Sequence, residues 1–501
     1  MIKTLCVVLG VSAILAAPVA ATESESKLAV ITPVIADGQP RMQAAPDGRS
    51  VPVVTQLREG ALYDSLQREA REGVTATMLA LDESAQRAAG IAQSTASWLY
   101  LAIEDGGFPR HGFWLESDGS QRYVDQPYVD LVVDADSIAK GDFEEIFAHE
   151  MGHVFLRRLM PLPDGWSRTP HSSMAITDYP TAFDEGFATH FQGLARRLTR
   201  NSTLREQELG LASKPFLSYW LSNLDRAGRI EGVRRNSFVQ ARMTPPGSDG
   251  DALNRANEST AFDMARLRSG QQMLASEGVV ATLFYRWLVP GPEQPAAIVA
   301  RYRRLFDALR RPATEKTSAD APLFLDVVER YCVKATDDCA RVRALTIDTT
   351  YGATIGTELP RQTQALAERG RVGDMQAYLA QLKQARATLA RLQDEVARDP
   401  RRLHAALRAD LWLLARNPNK PQAAPDDRIA VNLNTAEREA LLLLPGLDTA
   451  MVDRALDSRR REGGFRDLND FVRRSGIPAD VAGRLGEAEA DLRKLGPYRR
   501  Q

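Results

Sequence analysis

The run Asp142-Phe-Glu-Glu-Ile-Phe-Ala-His-Glu-Met-Gly-His-Val-Phe155 sets two histidines, His149 and His153, four residues apart on either side of Glu150. That spacing constrains the fold strongly. On a helix, residues i and i+4 stack on one face, so both imidazoles can aim a ring nitrogen at one point while Glu150 points to the adjoining side. The rest of the segment supports a helix: Phe143, Ile146, Phe147, Met151, Val154, Phe155 and Leu159 form an apolar stripe. Asp142 followed by Glu145 has the form of a capping box. The histidines flank the stripe, which puts them at the edge of a core, where a cleft can open.

Upstream, Tyr128-Val-Asp-Leu-Val-Val-Asp134 mixes β-branched residues with acids and reads as a strand beside this helix, an edge strand on which an extended peptide could pair. Downstream, Phe183, Phe187, Phe191, Leu194 and Leu198 recur at helical spacing. Glu185 lies off that stripe and can face the first helix across a cleft, with Ala188 keeping the approach close. Two histidines and one glutamate are a ligand set of catalytic zinc, which keeps a fourth position for water. Glu277, in Ser276-Glu-Gly-Val-Val-Ala-Thr-Leu-Phe284, sits in a similar Glu-Gly-apolar pattern and is the rival third ligand.

Together His149, Glu150, His153 and Glu185 resemble the gluzincin metallopeptidases, whose hallmark is H-E-x-x-H followed by a helix carrying a ligand glutamate. The resemblance covers residues 125 to 200. It implies a zincin-like metallopeptidase domain with a small edge sheet, Zn2+ held by His149, His153 and Glu185, and a peptide or protein substrate. It also implies that Glu150 is the catalytic general base, taking a proton from zinc-held water and delivering it to the leaving amine. Thr189 stands where thermolysin-like enzymes place an aspartate that orients a histidine, so orientation must come from elsewhere. The Gly-x-Met-Glu-Asn motif of the zinc aminopeptidases is absent. For the donor to the developing oxyanion, Tyr179, His171 and His190 are nearest in sequence. Tyr179 is the choice, since it precedes Glu185 in the loop Asp178-Tyr-Pro-Thr181.

At 501 residues the chain is long enough for two to four domains, and its net charge of −1 shows no basic excess for nucleic acid. Lys3, the apolar run Leu5 to Ala17 and Pro18-Val-Ala-Ala21 have the form of a secretory signal, residues 1–21, cleaved after Ala21. The expectation is a periplasmic or secreted protein without stable membrane insertion. Removal of Cys6 leaves Cys332 and Cys339, which in an oxidising compartment form a local disulfide. The organisation reads as mainly α, with α+β character in the catalytic part. Residues 22–110 are extended over 23–54, then form one or two long helices over 56–103. The catalytic domain takes 111–345, where Thr244-Pro-Pro-Gly-Ser-Asp-Gly250 is an exposed connector. Residues 362–416 form a helical hairpin, 417–428 a Pro-rich linker and 429–501 a C-terminal domain.

In that last segment Val431-Asn-Leu-Asn-Thr-Ala436, Leu443-Leu-Pro-Gly-Leu447, Arg459-Arg-Arg461 and Gly463-Gly-Phe465, with Leu468 and Phe471, resemble the helix-hairpin-helix domains of competence-type DNA-binding proteins. Pro445-Gly446 supplies a tight turn whose amides can hold a phosphate. Residues 429–501 carry 13 Lys and Arg against 12 Asp and Glu, so the dense basic face of a nonspecific DNA binder is missing. Ser475-Gly-Ile-Pro478 also lacks the Gly-x-Gly form expected of a second hairpin. A DNA or protein partner is expected through residues 429–501. Three functions follow: an exported zinc peptidase, a DNA-binding or DNA-uptake accessory protein, and a scaffold whose metal site has no chemistry.

Overall fold

A computed structural model of the chain describes residues 27–161 apart from 105, 179–213, 273–350 with short breaks, 375–399, 403, 411–416 and 429–495 with isolated gaps. The signal segment, His171, the loop 244–250 and the linker 417–428 lie outside the described residues. The protein is mainly α with a β part.

The N-terminal half opens with five strands: β1 (Leu28–Pro33), β2 (Ile35–Ala36), β3 (Gln39–Pro40), β4 (Met42–Ala44) and β5 (Ser50–Leu57). Two helices follow, α1 (Ala61–Glu69) and α2 (Gly73–Ala89), then β6 (Ser97–Leu101), β7 (Phe108–Ser117) and β8 (Ser120–Leu131). Strand β1 pairs parallel with β6, β6 parallel with β8, β8 antiparallel with β7, and β7 parallel with β5. Because β5 returns to pair antiparallel with β1, the five strands close into a small barrel, and β4 extends it from the first half of β5. Closure removes sheet edges and divides the side chains by the two-residue period. Ile31, Val54, Tyr100, Phe113, Leu115, Val124 and Tyr128 fill the interior, while Leu28, Val30, Leu99, Leu101, Val129 and Leu131 face the helices.

Two expectations are corrected here. The helical reading of 56–103 stops at Ala89, because Ser97–Leu101 is a strand. Leu99, Tyr100 and Leu101 are all buried, and such a short apolar run has no periodicity to separate strand from helix. The edge strand at 128–134 is instead the interior strand β8: Val129 lies opposite Leu99 on one side and Pro109 on the other, so no peptide can pair there. The β part is this barrel and not a small edge sheet.

Next come α3 (Ala135–Lys140) and α4 (Asp142–Leu159), joined at Gly141, whose φ of 82° ends one helix and starts the other. The capping box expected at Asp142 and Glu145 does not form. The box belongs to α3, between Asp134 and Ser137, and Glu145 is drawn inward to a buried ion pair with Arg196, 3.1 Å away. Helices α5 (Tyr179–Leu198) and α6 (Ser202–Ser213) follow, then α7 (Glu277–Leu288), α8 (Pro295–Leu309), α9 (Leu323–Lys334), α10 (Thr336–Thr350) and α11 (Met375–Arg398). Cys332 and Cys339 lie at disulfide distance, with Cα atoms 5.4 Å apart across the α9–α10 junction. The apolar faces of α2, α4, α5, α7, α8 and α9 share one core with the outer face of the barrel. On α2, Asp82 accepts hydrogen bonds from Ser97 at the start of β6 and Gln86, and pairs with Arg158 of α4 at 3.0 Å; this buried network pins barrel and helices together.

The helical hairpin expected over 362–416 lies partly outside the described residues. Among the described residues α11 is a single helix, and β9 (Trp412–Ala415) pairs antiparallel with β10 (Ile429–Asn432), so the C-terminal unit begins before the expected linker. Leu413 and Ala415 pack into its own core with Val431 and Leu433, while Trp412 and Leu414 face the main core. Four helices complete it: α12 (Arg438–Leu441), α13 (Thr449–Glu462), α14 (Leu468–Ser475) and α15 (Ala479–Leu495).

Helix α4 approaches α5 closely because Gly152 has no side chain: a Cβ there would stand 2.8 Å from the Phe191 ring and 2.9 Å from the Ala188 Cα. Gly152→Ala must therefore force the helices apart. We expect a loss of about 1–3 kcal/mol in urea unfolding, the usual cost of overpacking. An unchanged midpoint would show that the contact yields freely.

Candidate metal centre

Helix α4 carries His149 and His153 toward α5, whose Phe183, Phe187 and Phe191 are buried in the shared core and turn Glu185 the other way. His149 Nε2 and His153 Nε2 lie 3.3 Å apart, and each is 3.7 Å from Glu185 Oε2. Donors held about 2.0–2.1 Å from a tetrahedral zinc ion stand roughly 3.3–3.4 Å from one another, so the spacing fits such an ion with little movement. Among the described residues this is the only cluster of three metal-ligating side chains.

Orientation comes from Asp184. Its Oδ1 lies 2.8 Å from His153 Nδ1, an ion-pair contact between two almost fully buried side chains, and Nε2 on the other side of the ring faces Glu185. Sequence reasoning missed Asp184 because it sought the orienting acid four residues beyond the ligand glutamate, where Thr189 stands. The available signal was its position next to Glu185: the preceding residue on a helix points about a quarter turn away and can reach the back of the ring. In the protein alone, burial opposes charge on His153, but Asp184 and Glu185 outweigh it and hold the imidazole at a pKa of about 10. The pocket therefore favours a positive charge, whether proton or cation.

Glu150 is buried at 4% exposure, and its Oε2 has no hydrogen-bond partner among the described residues. Burial raises its pKa, against the pull of His149 and His153. A second residue missed at the sequence level is Arg157, four residues beyond His153 and so on the same helix face. It donates to the Pro109 carbonyl of β7; burial lowers its pKa, while Asp184 and Glu150 favour its charge.

The other sequence candidates fall elsewhere. Glu277 is not brought to the histidines: at the start of α7 it is 1% exposed and accepts a hydrogen bond from Thr189 Oγ1 at 3.4 Å, and its carbonyl oxygen packs against Gly186. Tyr179 is the first residue of α5, 3% exposed and packed in the main core. His190 turns away into the core, where its Nδ1 meets the Phe187 carbonyl and its Nε2 meets the Tyr302 hydroxyl at 2.6 Å. Its structural role ends its candidacy as an oxyanion donor.

In the C-terminal unit two helix–turn–helix pairs, α12–α13 and α14–α15, turn at Gly446 and Gly476, with φ of 82° and 59°. The arginine at the same interval after each glycine crosses to the opposite turn: Arg454 donates to the Ser475 carbonyl, and Arg484 packs over Gly446. Arg459 donates to the Leu433 and Ala436 carbonyls and Arg474 to Ser458. These cations hold the unit together.

No family model, curated protein or solved structure matches the chain.

His190 sets an acid limit on stability. Burial lowers its pKa from 6.5 to about 3, so the folded protein keeps it neutral while the unfolded chain takes up a proton as pH falls. The unfolded state binds more protons between those values, and stability must decline from pH 6.5 toward pH 3 by about 1.4 kcal/mol per unit from this residue. In urea titrations at several pH values, His190→Gln should be less stable at pH 7 and show a shallower acid slope. Parallel slopes would contradict the assignment.

Proposed function

We propose that this protein is a zinc-dependent metallopeptidase of gluzincin type, with His149, His153 and Glu185 as ligands and Glu150 as general base. The supporting observation is the convergence of two Nε2 atoms and one carboxylate oxygen beside a buried glutamate that has an oxygen without a partner. Zinc bound there supplies a Lewis acid for a peptide carbonyl and lowers the pKa of water to roughly 7. Glu150, made more basic by its burial, takes the water proton and returns it to the leaving amine. Asp184 keeps His153 in the tautomer that presents Nε2 to the ligand site. Arg157 lies one turn from His153 to orient substrate.

Export accords with the cysteine pair Cys332–Cys339, and among the described residues no helix is long and apolar enough to cross a membrane. DNA binding through residues 429–501 is the less supported reading, since Arg454, Arg459, Arg474 and Arg484 are engaged within the unit.

Glu150→Gln should retain stoichiometric zinc while hydrolysis of a peptide mixture falls by about 10²–10⁴-fold, the contribution of a general base. His149→Ala, His153→Ala and Glu185→Gln should lose zinc, Asp184→Asn should bind it about 10–100-fold more weakly, and Glu277→Gln should keep it. Zinc bound by a protein that hydrolyses no peptide would favour the scaffold reading instead.

A further inference from the structure

The barrel has a mouth, and it lies beside the metal centre. A cavity of about 530 Å³ opens between the β2–β3 hairpin and β5 on one side and the adjoining ends of β6, β7 and β8 on the other. Tyr100, Tyr128 and Asp130 line it. Asp130 is 4% exposed; one carboxylate oxygen accepts from Arg110 Nε at 2.9 Å, and the other, Oδ1, is buried with no hydrogen-bond partner among the described residues.

Three guanidinium groups, those of Arg49, Arg110 and Arg157, line this space with Asp130 and Glu104; Arg49 is also paired with Asp47 at 2.6 Å and Arg110 with Asp130 at 2.9 Å. Arg110 and Arg157 both line the cavity, Arg157 reaching it from α4 and donating to the Pro109 carbonyl. Large apolar side chains are also exposed at this end. Met42 and Ile103 line the cavity, Ile35 pairs with the lining residue Pro40, and Phe108 lies under the Arg110 guanidinium. A cavity in the mouth of a barrel, with an apolar rim and a few convergent polar groups, has the form of a ligand site.

We propose that this cavity holds the C-terminal residue of a peptide, with the carboxylate on Arg49, Arg110 and Arg157, the backbone N–H on Asp130 Oδ1, and an apolar side chain against Met42 and Ile103. Arginine suits the carboxylate because its planar fork can donate two parallel hydrogen bonds. The inference rests on the peptidase reading and gives it a substrate class. Arg157 and His153 are four residues, about 6 Å, apart along α4, and an extended chain advances about 3.4 Å per residue. The bond cut therefore lies within about three residues of a free, apolar C-terminus.

Calorimetric titration of the full mature chain with N-acetyl-leucine, N-acetyl-leucinamide and N-acetyl-N-methyl-leucine tests the site without altering the protein. The acid should bind, and the amide and the N-methylated acid should each bind at least about tenfold more weakly, having lost one charge-assisted or buried hydrogen bond. Arg49→Gln and Arg110→Gln should weaken the acid to a similar degree, and His149→Ala should leave its affinity unchanged, which separates this cavity from the metal centre. Equal binding of acid and amide, or loss of binding in His149→Ala alone, overturns the proposal. Hydrolysis of free and C-terminally amidated peptides at the same rate also overturns it while leaving the peptidase reading intact. Binding of the acid by a protein that takes up no zinc keeps the carboxylate site and overturns the peptidase reading alone.

Discussion

The approach of α4 to α5 is the contact on which the rest of the site depends. Neither helix by itself supplies all three side chains of the His149, His153 and Glu185 cluster. They come together because Gly152 offers no side chain and Ala188 only a small one, so the Phe191 ring and the Ala188 backbone can lie against the α4 backbone. A phenylalanine ladder from Phe183 to Phe191 then sets the rotation of α5, and Glu185 is left on the side facing the two histidines. A second glycine repeats the arrangement on the opposite flank, where a Cβ on Gly186 would stand 2.6 Å from Val280 Cβ of α7. Helix α5 is thus held on both sides by contacts that tolerate almost no added volume.

Charge is buried around α4 in a consistent way. Glu145 meets Arg196 of α5, Arg158 meets Asp82 of α2, and His153 meets Asp184, each within about 3 Å and each largely out of water. Pairs of this kind contribute little net stability, because desolvation offsets most of the attraction. Their effect is to specify position: an unpaired member would be costly, so the helices have few alternative registers. The same argument explains why Glu150, Asp184 and Glu185 can be concentrated in a small volume, since His153 and the neighbouring Arg157 answer their charge.

The barrel gives α4 a rigid floor. Its strands are short, yet closure pairs both sides of each strand, and the alternation of Leu99 and Leu101 with Tyr100 assigns one face to the helices and the other to the barrel interior. Arg157 crosses this boundary. It leaves α4 one turn beyond His153, donates to the Pro109 carbonyl of β7 and lines the barrel mouth.

Much of the site was legible in the chain itself. His149, Glu150 and His153 could be read from spacing because a helix repeats every 3.6 residues, and Glu185 because it falls off a clear apolar stripe; these are local regularities that backbone geometry imposes. Other features were not local. Glu277, like Glu185, is followed by a glycine and an apolar residue, and only packing against Thr189 and Gly186 shows that it is turned away from the histidines. The Glu145 side chain had two uses, as a cap or as a partner for Arg196, and the choice required knowing that α5 would lie beside it. The β8 strand was foreseen but its neighbours were not, since barrel closure depends on β1 and β5, which lie far away in the chain. Asp184 and the cavity at the barrel mouth emerge only when separate elements meet. The sequence by itself determined which side chains share a helix face, because that is a property of one element's period; the tertiary structure decided which faces meet, because that depends on volume and charge contributed by residues distant in the chain.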